Sequence, residues 1–174
     1  QPCSDSITAI KDAGGLEYEK IITDVYSFLI RNKSSIDSLC LGKAYQTIAN
    51  RYEDLRYYDS AIVYTKRAFT IRQSIQDCIG MIQSASSMYH HCKAFGNPYL
   101  AVPFLDPVVN LELEAVYNVR ILEYLGDIYS GRGEHEMAGM YYQQMELACI
   151  ARSDSIYATF AKGQQLFVKI KSEI

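Results

Sequence analysis

Apolar residues recur along the chain at steps of three and four, with polar residues between them, in almost every window. This period places apolar side chains on one face of a helix and predicts an all-α chain. Apart from Pro2, proline is confined to Pro98, Pro103 and Pro107. The pattern predicts nine helices, over residues 4–13, 16–31, 35–54, 57–74, 77–95, 98–111, 114–131, 134–151 and 154–172.

One spacing of large and small residues is repeated along the chain. Its first copy is Tyr45, Ile48, Ala49 and Tyr52, followed by Ala61 and Ala68. Its second clear copy is Leu122, Leu125, Gly126 and Tyr129, followed by Ala138 and Tyr142. A weaker copy is Ile82, Ala85, Ser86, Tyr89 and Ala101, and a last start is Tyr157, Phe160 and Ala161. A period of tens of residues is typical of stacked helical hairpins, whose units bury their apolar faces against one another.

These positions resemble the tetratricopeptide repeat (TPR), in which small residues on two paired helices let their axes approach closely. The resemblance implies a right-handed helical-hairpin solenoid of about three repeats plus flanking helices. Thr65 departs from the pattern because it replaces an aromatic residue, although Tyr64 lies beside it. The copies begin at residues 45, 82, 122 and 157, at steps of 37, 40 and 35, which are longer than the roughly 34 residues of the standard repeat. This longer period and the openings Asp37-Ser38-Leu39 and Asp154-Ser155-Ile156 are similar to repeats of bacterial sensor and regulator proteins, which implies a sensor or regulatory region.

The predicted organisation is a single TPR-like solenoid domain over residues 1–174. Its parts are a partial leading repeat at 16–31, repeats at 42–74, 79–111 and 119–151, and a terminal helix at 154–172. The repeat at 79–111 is degenerate, because Pro103 and Pro107 each remove a helix hydrogen bond and predict a short or broken second helix. The absence of an initiating Met and the unpaired last helix favour a chain cut from a larger protein.

Helix starts fit this organisation. Ser35 or the pair Asp37-Ser38 precedes the first full hairpin, and Ser153-Asp154-Ser155 precedes the last helix. Side chains with short oxygen-bearing groups accept hydrogen bonds from the unpaired amides of a first helical turn. We therefore expect an N-cap at each of these places.

Charge and composition exclude several classes of partner. The 17 basic and 20 acidic side chains give a net charge of −3, with no run of three Lys or Arg, which argues against nucleic acid. No apolar stretch approaches the roughly 18 residues of a spanning helix, so no membrane insertion by this segment is expected. If Gln1 is an N-terminus left by processing, a periplasmic or extracytoplasmic location is expected. If it is not, a cytoplasmic location is expected.

Candidate chemistry is sparse, and the chain is predicted not to be an enzyme. Phosphate-binding glycine loops and a nucleophile elbow are missing from the sequence. His90, His91 and Cys92 are adjacent, and neighbouring helical side chains point about 100° apart, which favours packing over metal binding. The five cysteines lack a C-x-x-C pair and predict neither a zinc site nor a disulfide framework. No cofactor is expected.

The predicted function is a non-catalytic module that binds a protein or peptide through its concave face. First helices line that face in such a solenoid, and their polar residues are the candidate contacts. These residues are Lys43, Gln46, Thr47, Asn50, Glu53, Gln83, Ser84, Ser87, Arg120, Glu123, Tyr124 and Asp127. Chaperone-binding members of the family grip a terminal carboxylate with several basic side chains, and too few are present here for that clamp. A face that is only solvated is the simpler alternative.

Two other functions remain open. A self-associating assembly or scaffold protein would need no separate ligand, and the candidate contacts are Ile156, Phe160, Phe167 and Ile170. We expect these four to be buried if the last helix is a cap, and exposed if it is half of a missing unit. A signalling-peptide receptor inside the cell would instead contain five reduced cysteines.

Overall fold

A computed structural model describes residues 2–14, 17–109, 111, 115–151 and 154–173, and every regular element within these residues is helical. The all-α prediction is confirmed. The helices are α1 (Pro2–Gly14), α2 (Tyr18–Arg31), α3 (Ser38–Asp54), α4 (Tyr58–Ser74), α5 (Cys78–Ala94), α6 (Val102–Val109), α7 (Ala115–Gly131), α8 (His135–Ala151) and α9 (Ser155–Ser172). The predicted helix starts at residues 16 and 114 lie outside the described residues.

The proline cluster changes one helix as expected. The predicted helix at 98–111 is a 3-10 turn at Pro98–Ala101 followed by the short α6, which contains Pro107. The ring of Pro107 and its missing amide hydrogen remove a hydrogen bond from the helix, so only a short helix forms. The short or broken helix that the prolines predict in this stretch is therefore present as the short α6.

Aspartate side chains cap three of the helices. Asp37 accepts a hydrogen bond from the Cys40 amide at 2.7 Å, and Asp154 accepts one from the Tyr157 amide at 3.3 Å. The caps expected before α3 and α9 are confirmed, with Asp37 rather than Ser35 at the first site. Asp77 caps α5 in the same way, a cap that the sequence pattern did not predict.

One turn geometry ends four of the helices. Arg56, Gln76, Gly96 and Gly133 each have a positive φ, between 55° and 94°. The amide that follows each of these residues donates to a carbonyl in the last turn of the preceding helix, as Tyr57 does to Tyr52 at 2.8 Å. This Schellman-type end suits glycine, because a Cβ is strained at positive φ.

The chain divides into two compact units, Gln1–Pro98 and Tyr99–Ile174. In the first unit, Ile21, Val25, Ala44 and Ile48 form the centre of a core built by α1, α2 and α3. In the second unit the core joins α7, α8 and α9, and its members are Val119, Leu122, Ala138, Tyr142, Met145, Cys149, Ala161 and Val168.

The hairpin α3–α4 is repeated in its details by the hairpin α7–α8. Tyr52 stacks on Tyr64 with 5.4 Å between ring centroids, and Tyr129 stacks on Tyr141 at 5.5 Å. Tyr52 and Tyr64 lie 77 positions before Tyr129 and Tyr141. The same interval separates Ala61 from Ala138, and both alanines are fully buried. The positive-φ residues Arg56 and Gly133 are separated by the same 77 positions. The internal repetition expected from the sequence is therefore present in these two hairpins.

The cysteines differ in one respect from the expectation. Cys78, Cys92 and Cys149 form no disulfide bond, and the last two are buried packing residues. Burial raises the pKa of the Cys92 thiol to about 11. Cys40, by contrast, is disulfide-bonded, a bond that the expectation of no disulfide framework did not include.

Candidate functional site

The polar face of α3 borders a groove in the first unit. Lys43, Gln46 and Thr47 line it together with Ile7, Thr8 and Lys11 of α1 and Arg72 of α4, around an open volume of about 270 Å³. The Thr47 hydroxyl donates to the Lys43 carbonyl at 3.0 Å, which turns the threonine back onto its own helix. Three of the predicted binding residues thus lie in one groove.

Arg72 organises a buried polar network beside this groove. Arg72 as a whole is 4% exposed, and Nη1 donates to the Gly80 carbonyl at 2.7 Å and to the Ser84 hydroxyl at 2.8 Å. The Ser84 hydroxyl donates in turn to Gln46 Oε1 at 3.0 Å, and Gln46 Nε2 donates to Asn50 Oδ1 at 3.0 Å. Three predicted site residues, Ser84, Gln46 and Asn50, are therefore joined in a hydrogen-bonded chain that Arg72 of α4 anchors at Ser84.

Two glycines make room for the Arg72 side chain. A Cβ on Gly80 would lie 2.7 Å from Arg72 Cδ, and a Cβ on Gly42 would lie 3.4 Å from Cγ. Burial lowers the pKa of Arg72, and the opposing effect of the Asp77 carboxylate, 3.9 Å from Nε, is smaller. An arginine remains charged under such a shift, so its hydrogen bonds are charge-assisted and hold the polar face of α3 in a fixed geometry.

Glu53, at the end of the same helix, faces a buried histidine. His91 of α5 is fully buried, and its Nδ1 lies 3.5 Å from Glu53 Oε1. Burial, together with the nearby His90, lowers the pKa of His91 to about 4. Burial also raises the pKa of Glu53. At neutral pH the imidazole is therefore uncharged, and this contact is not an ion pair.

The three predicted residues of α5 differ in accessibility. Gln83 is exposed and Ser87 is half-buried, whereas Ser84 is fully buried by the network around Arg72. Gln83 and Ser87 are four residues apart and share a face of the helix. Ser84 points elsewhere, so it supports the site from inside the unit.

The four predicted residues of α7 belong to the second unit. Arg120 is exposed and hydrogen-bonds the side chain of Tyr124, which is itself buried; burial raises the pKa of this phenol. Asp127 accepts a hydrogen bond from the Tyr142 hydroxyl at 2.8 Å. Glu123 is half-buried on the same helix. The predicted residues are thus divided between the two units, eight in the first and four in the second.

The last helix has an exposed apolar face. The exposed fractions of Ile156, Phe160, Phe167 and Ile170 are 80%, 43%, 50% and 53%. The opposite face of α9 packs on α8 through Ala161 and Val168, and the Gln165 amide donates to Glu146 Oε2 at 2.7 Å. The sequence predicts that these four residues are buried if α9 is a cap and exposed if it is half of a missing unit. In the structure they are exposed.

Sequence reasoning missed Arg72 and His91 as organising residues. Arg72 lies directly after the apolar residue Ile71, in a stretch whose pattern indicates packing, and an arginine at a helix end is usually solvated. A usable signal was present in Gly42 and Gly80, since a glycine inside or opening a helix needs a packing reason. The sequence separation of these glycines from Arg72 gave no indication of contact, because the contact depends on how α3, α4 and α5 pack together.

Comparison with known proteins adds no family. The chain matches no model of a known protein family and no curated protein sequence. In the described part of the chain, no group of three or more His, Cys, Asp or Glu side chains is arranged to hold a metal ion. Within the same part, no helix has both the length and the apolar character needed to cross a bilayer.

Proposed function

We propose that the chain is a TPR-like, non-catalytic interaction module that binds a protein segment or peptide. The repetition of stacked tyrosines, buried alanines and positive-φ turns at an interval of 77 positions supports a solenoid of helical hairpins. Solenoids of this type present extended surfaces formed by successive helices. The polar residues of α3 are the part of that surface that the first unit offers.

The observation that carries the proposal is the groove between α1, α3 and α4. Its lining includes the cationic side chains of Lys11, Lys43 and Arg72, and the described residues contribute no carboxylate to it. Arg72 is fixed by its network, and this fixed position lowers the ordering cost of binding. A groove with this charge favours an extended segment that carries Asp or Glu side chains.

A pair of charge-reversal variants tests this function. The probe is a fluorescent extended peptide with several Asp and Glu residues, compared with the same peptide carrying Asn and Gln. Lys11→Glu with Lys43→Glu reverses the charge of the groove, whereas Lys33→Glu with Lys66→Glu makes the same change of net charge at sites outside it. We expect the groove variant to bind the acidic peptide about tenfold or more weakly, and the control to bind it normally.

Circular dichroism and thermal unfolding of both variants establish that each remains folded. Equal affinity of the native chain for the acidic and the neutral peptide would contradict the proposal. So would a loss of binding that is the same in the control variant, because it would reflect net charge and not the groove.

The sensor or regulatory role remains a proposal based on the openings of the repeats. The disulfide at Cys40 favours the extracytoplasmic alternative, because disulfides persist in oxidising compartments. Alkylation of the chain in native host cells, followed by peptide mapping, tests this. We expect Cys40 to be labelled only after reduction, and labelling of Cys40 without reduction would support a reducing compartment.

Self-association is a second candidate function, and one observation favours it. The four residues Ile156, Phe160, Phe167 and Ile170 are exposed together on α9, as expected for a helix that lacks a neighbour on one side. Contiguous exposed apolar surface of this kind is typical of protein interfaces.

A further inference from the structure

The exposed face of α9 is a complete helical stripe. Ile156, Phe160, Gly163, Phe167 and Ile170 follow one another at steps of three and four, which places all five on one side of the helix. The stripe lies opposite Ala161 and Val168, which pack on α8. A helix with apolar residues on two opposite faces is one that has neighbours on both.

The internal repeats indicate that the first two positions of the stripe, Ile156 and Phe160, are normally covered. Ile121 and Leu125 of α7 occupy the positions in the repeat that Ile156 and Phe160 occupy in α9, and both are fully buried. Ala44 and Ile48 of α3 occupy them in the first unit and are fully buried as well. Both α3 and α7 are followed by a second helix, so the stripe of α9 has the character of a surface onto which another helix packs.

The stripe also reads almost the same from either end. Around Gly163 the order is Ile, Phe, Gly, Phe, Ile, with the phenylalanines three and four positions away and the isoleucines seven. A twofold interface requires this property, because each residue must contact its counterpart at the reversed position. At the centre, a Cβ on Gly163 would meet nothing within 4 Å, so the helix surface there is open to a close approach.

The charges at the two ends of α9 suit an antiparallel arrangement. Asp154 caps the first turn, and Lys169 and Lys171 lie in the last turn. The Lys171 ammonium lies 4.7 Å from the centroid of the Phe167 ring, at the edge of the stripe. Two antiparallel copies would bring Asp154 of each helix close to Lys169 and Lys171 of the other and would oppose their dipoles.

We propose that two copies of this chain pair through α9, with the helices antiparallel and Gly163 next to Gly163 of the second copy at the twofold axis. Phe160 then faces Phe167 of the second copy, and Ile156 faces Ile170. The pairing rests on the second candidate function, self-association, and specifies its surface and register. It is independent of the groove in the first unit.

Sedimentation equilibrium of the full chain over a wide range of concentration is the first test. We expect a monomer–dimer equilibrium whose dissociation constant rises about tenfold or more in Phe160→Glu, because a carboxylate would be buried in the interface. The matched control is Leu147→Glu, since Leu147 is an exposed apolar residue on α8, away from the stripe. The control should dimerise as the native chain does.

Site-specific cross-linking tests the register. Gly163→Cys places a thiol at the centre of the stripe without steric conflict within the chain, and oxidation should join two copies through this residue. Lys162→Cys is the control, because its exposed neighbouring position points about 100° away and should not cross-link. Peptide mapping separates this bond from those of the native cysteines.

The outcomes separate this register from self-association in general. A native chain that stays monomeric overturns both the pairing and self-association. This holds even if a helix of another protein is then found to cover the stripe. A dimer that persists in Phe160→Glu, or that forms no bond between the two thiols introduced at position 163, overturns this register while self-association stands. Dimer loss in Phe160→Glu with cross-linking at position 163 and not at position 162 supports the proposal.

Discussion

The hairpins α3–α4 and α7–α8 have the same backbone turns and the same stacked tyrosines but fill their interiors differently. In the first hairpin the interior positions hold Thr65 and Arg72, and in the second, 77 positions later, they hold Tyr142 and Cys149. Tyr142 lies over Gly126 and reaches Asp127 on the paired helix. Arg72 reaches out of its hairpin to α5.

This difference indicates which features the fold requires. Small residues at Ala61 and Ala138 and the positive-φ turns are common to both hairpins. The buried arginine is particular to the first, so the hairpin does not depend on a polar interior. The network around Arg72 is better understood as the support of one particular surface, the polar face of α3.

The largest expected effect comes from removing the arginine. Arg72→Ala leaves the Gly80 carbonyl and the Ser84 hydroxyl without their donor and should lower the free energy of unfolding by about 3 kcal/mol. Cys149→Ala, at the equivalent position, should lower it by only about 1 kcal/mol. Urea unfolding of both variants measures the difference, and equal losses would contradict the contrast between the hairpins.

Acid should destabilise the first unit selectively. The pKa of buried His91 is about 4, below its ordinary 6.5, so as the pH falls below 6.5 the unfolded chain gains a proton first. Stability is therefore lost between pH 6.5 and 4, by at most about 3 kcal/mol for a shift of this size. The raised pKa of Glu53 offsets part of this loss. The counterpart of Glu53 in α7 is Ser130, and α7 should be less affected.

Hydrogen exchange of individual helices at about pH 7 and about pH 5, on either side of the ordinary histidine pKa, provides the measurement. His91→Met should reduce the pH dependence, whereas His90→Gln, at the exposed neighbouring position, should leave most of it. An equal loss of protection in α3 and α7 on acidification would show that His91 is not its cause.

Overpacking the second hairpin should have an effect of similar size. A Cβ on Gly126 would lie 2.5 Å from the Tyr142 ring, so Gly126→Ala should cost about 2 kcal/mol of stability. Adding Tyr142→Thr copies the pair Ala49 and Thr65 of the first hairpin and removes the clash. Thermal unfolding of the single and double variants should give a favourable coupling, and strict additivity would argue against equivalence of the two sites.

The smallest effects concern the turns. Arg56→Gly should raise the free energy of unfolding by about 0.5 kcal/mol, because glycine relieves the strain at a φ of 63°. Gly133→Ala should lower it by about 1 kcal/mol, since its φ is 77°. Denaturant titration compares the two, and effects of the same sign would contradict the shared turn geometry.

Local patterns predicted the helices well. Periodicity located all nine of those described, and the aspartates at 37 and 154 cap α3 and α9 as expected. Proline chemistry predicted the short α6. These features depend on interactions within a few residues, which a single sequence contains.

The arrangement of the candidate site could be predicted less well from the sequence. The pattern placed Gln46 and Ser84 on polar helix faces but could not show that they hydrogen-bond each other, because that contact joins positions 38 apart. It also gave no sign that Ser84 and Tyr124 are buried. Side-chain burial of this kind depends on which helices pack together, and helical period alone does not specify it.

The hydrogen bonds of Arg72 also bear on how the first unit unfolds. In an ideal repeat array each hairpin has its own stability, and end units can fray while the others remain folded. Here Nη1 of the Arg72 guanidinium has all its acceptors only when α3 and α5 are both in place. Opening α5 alone would leave a buried charge with few partners, so α3, α4 and α5 should melt together as one cooperative block rather than helix by helix.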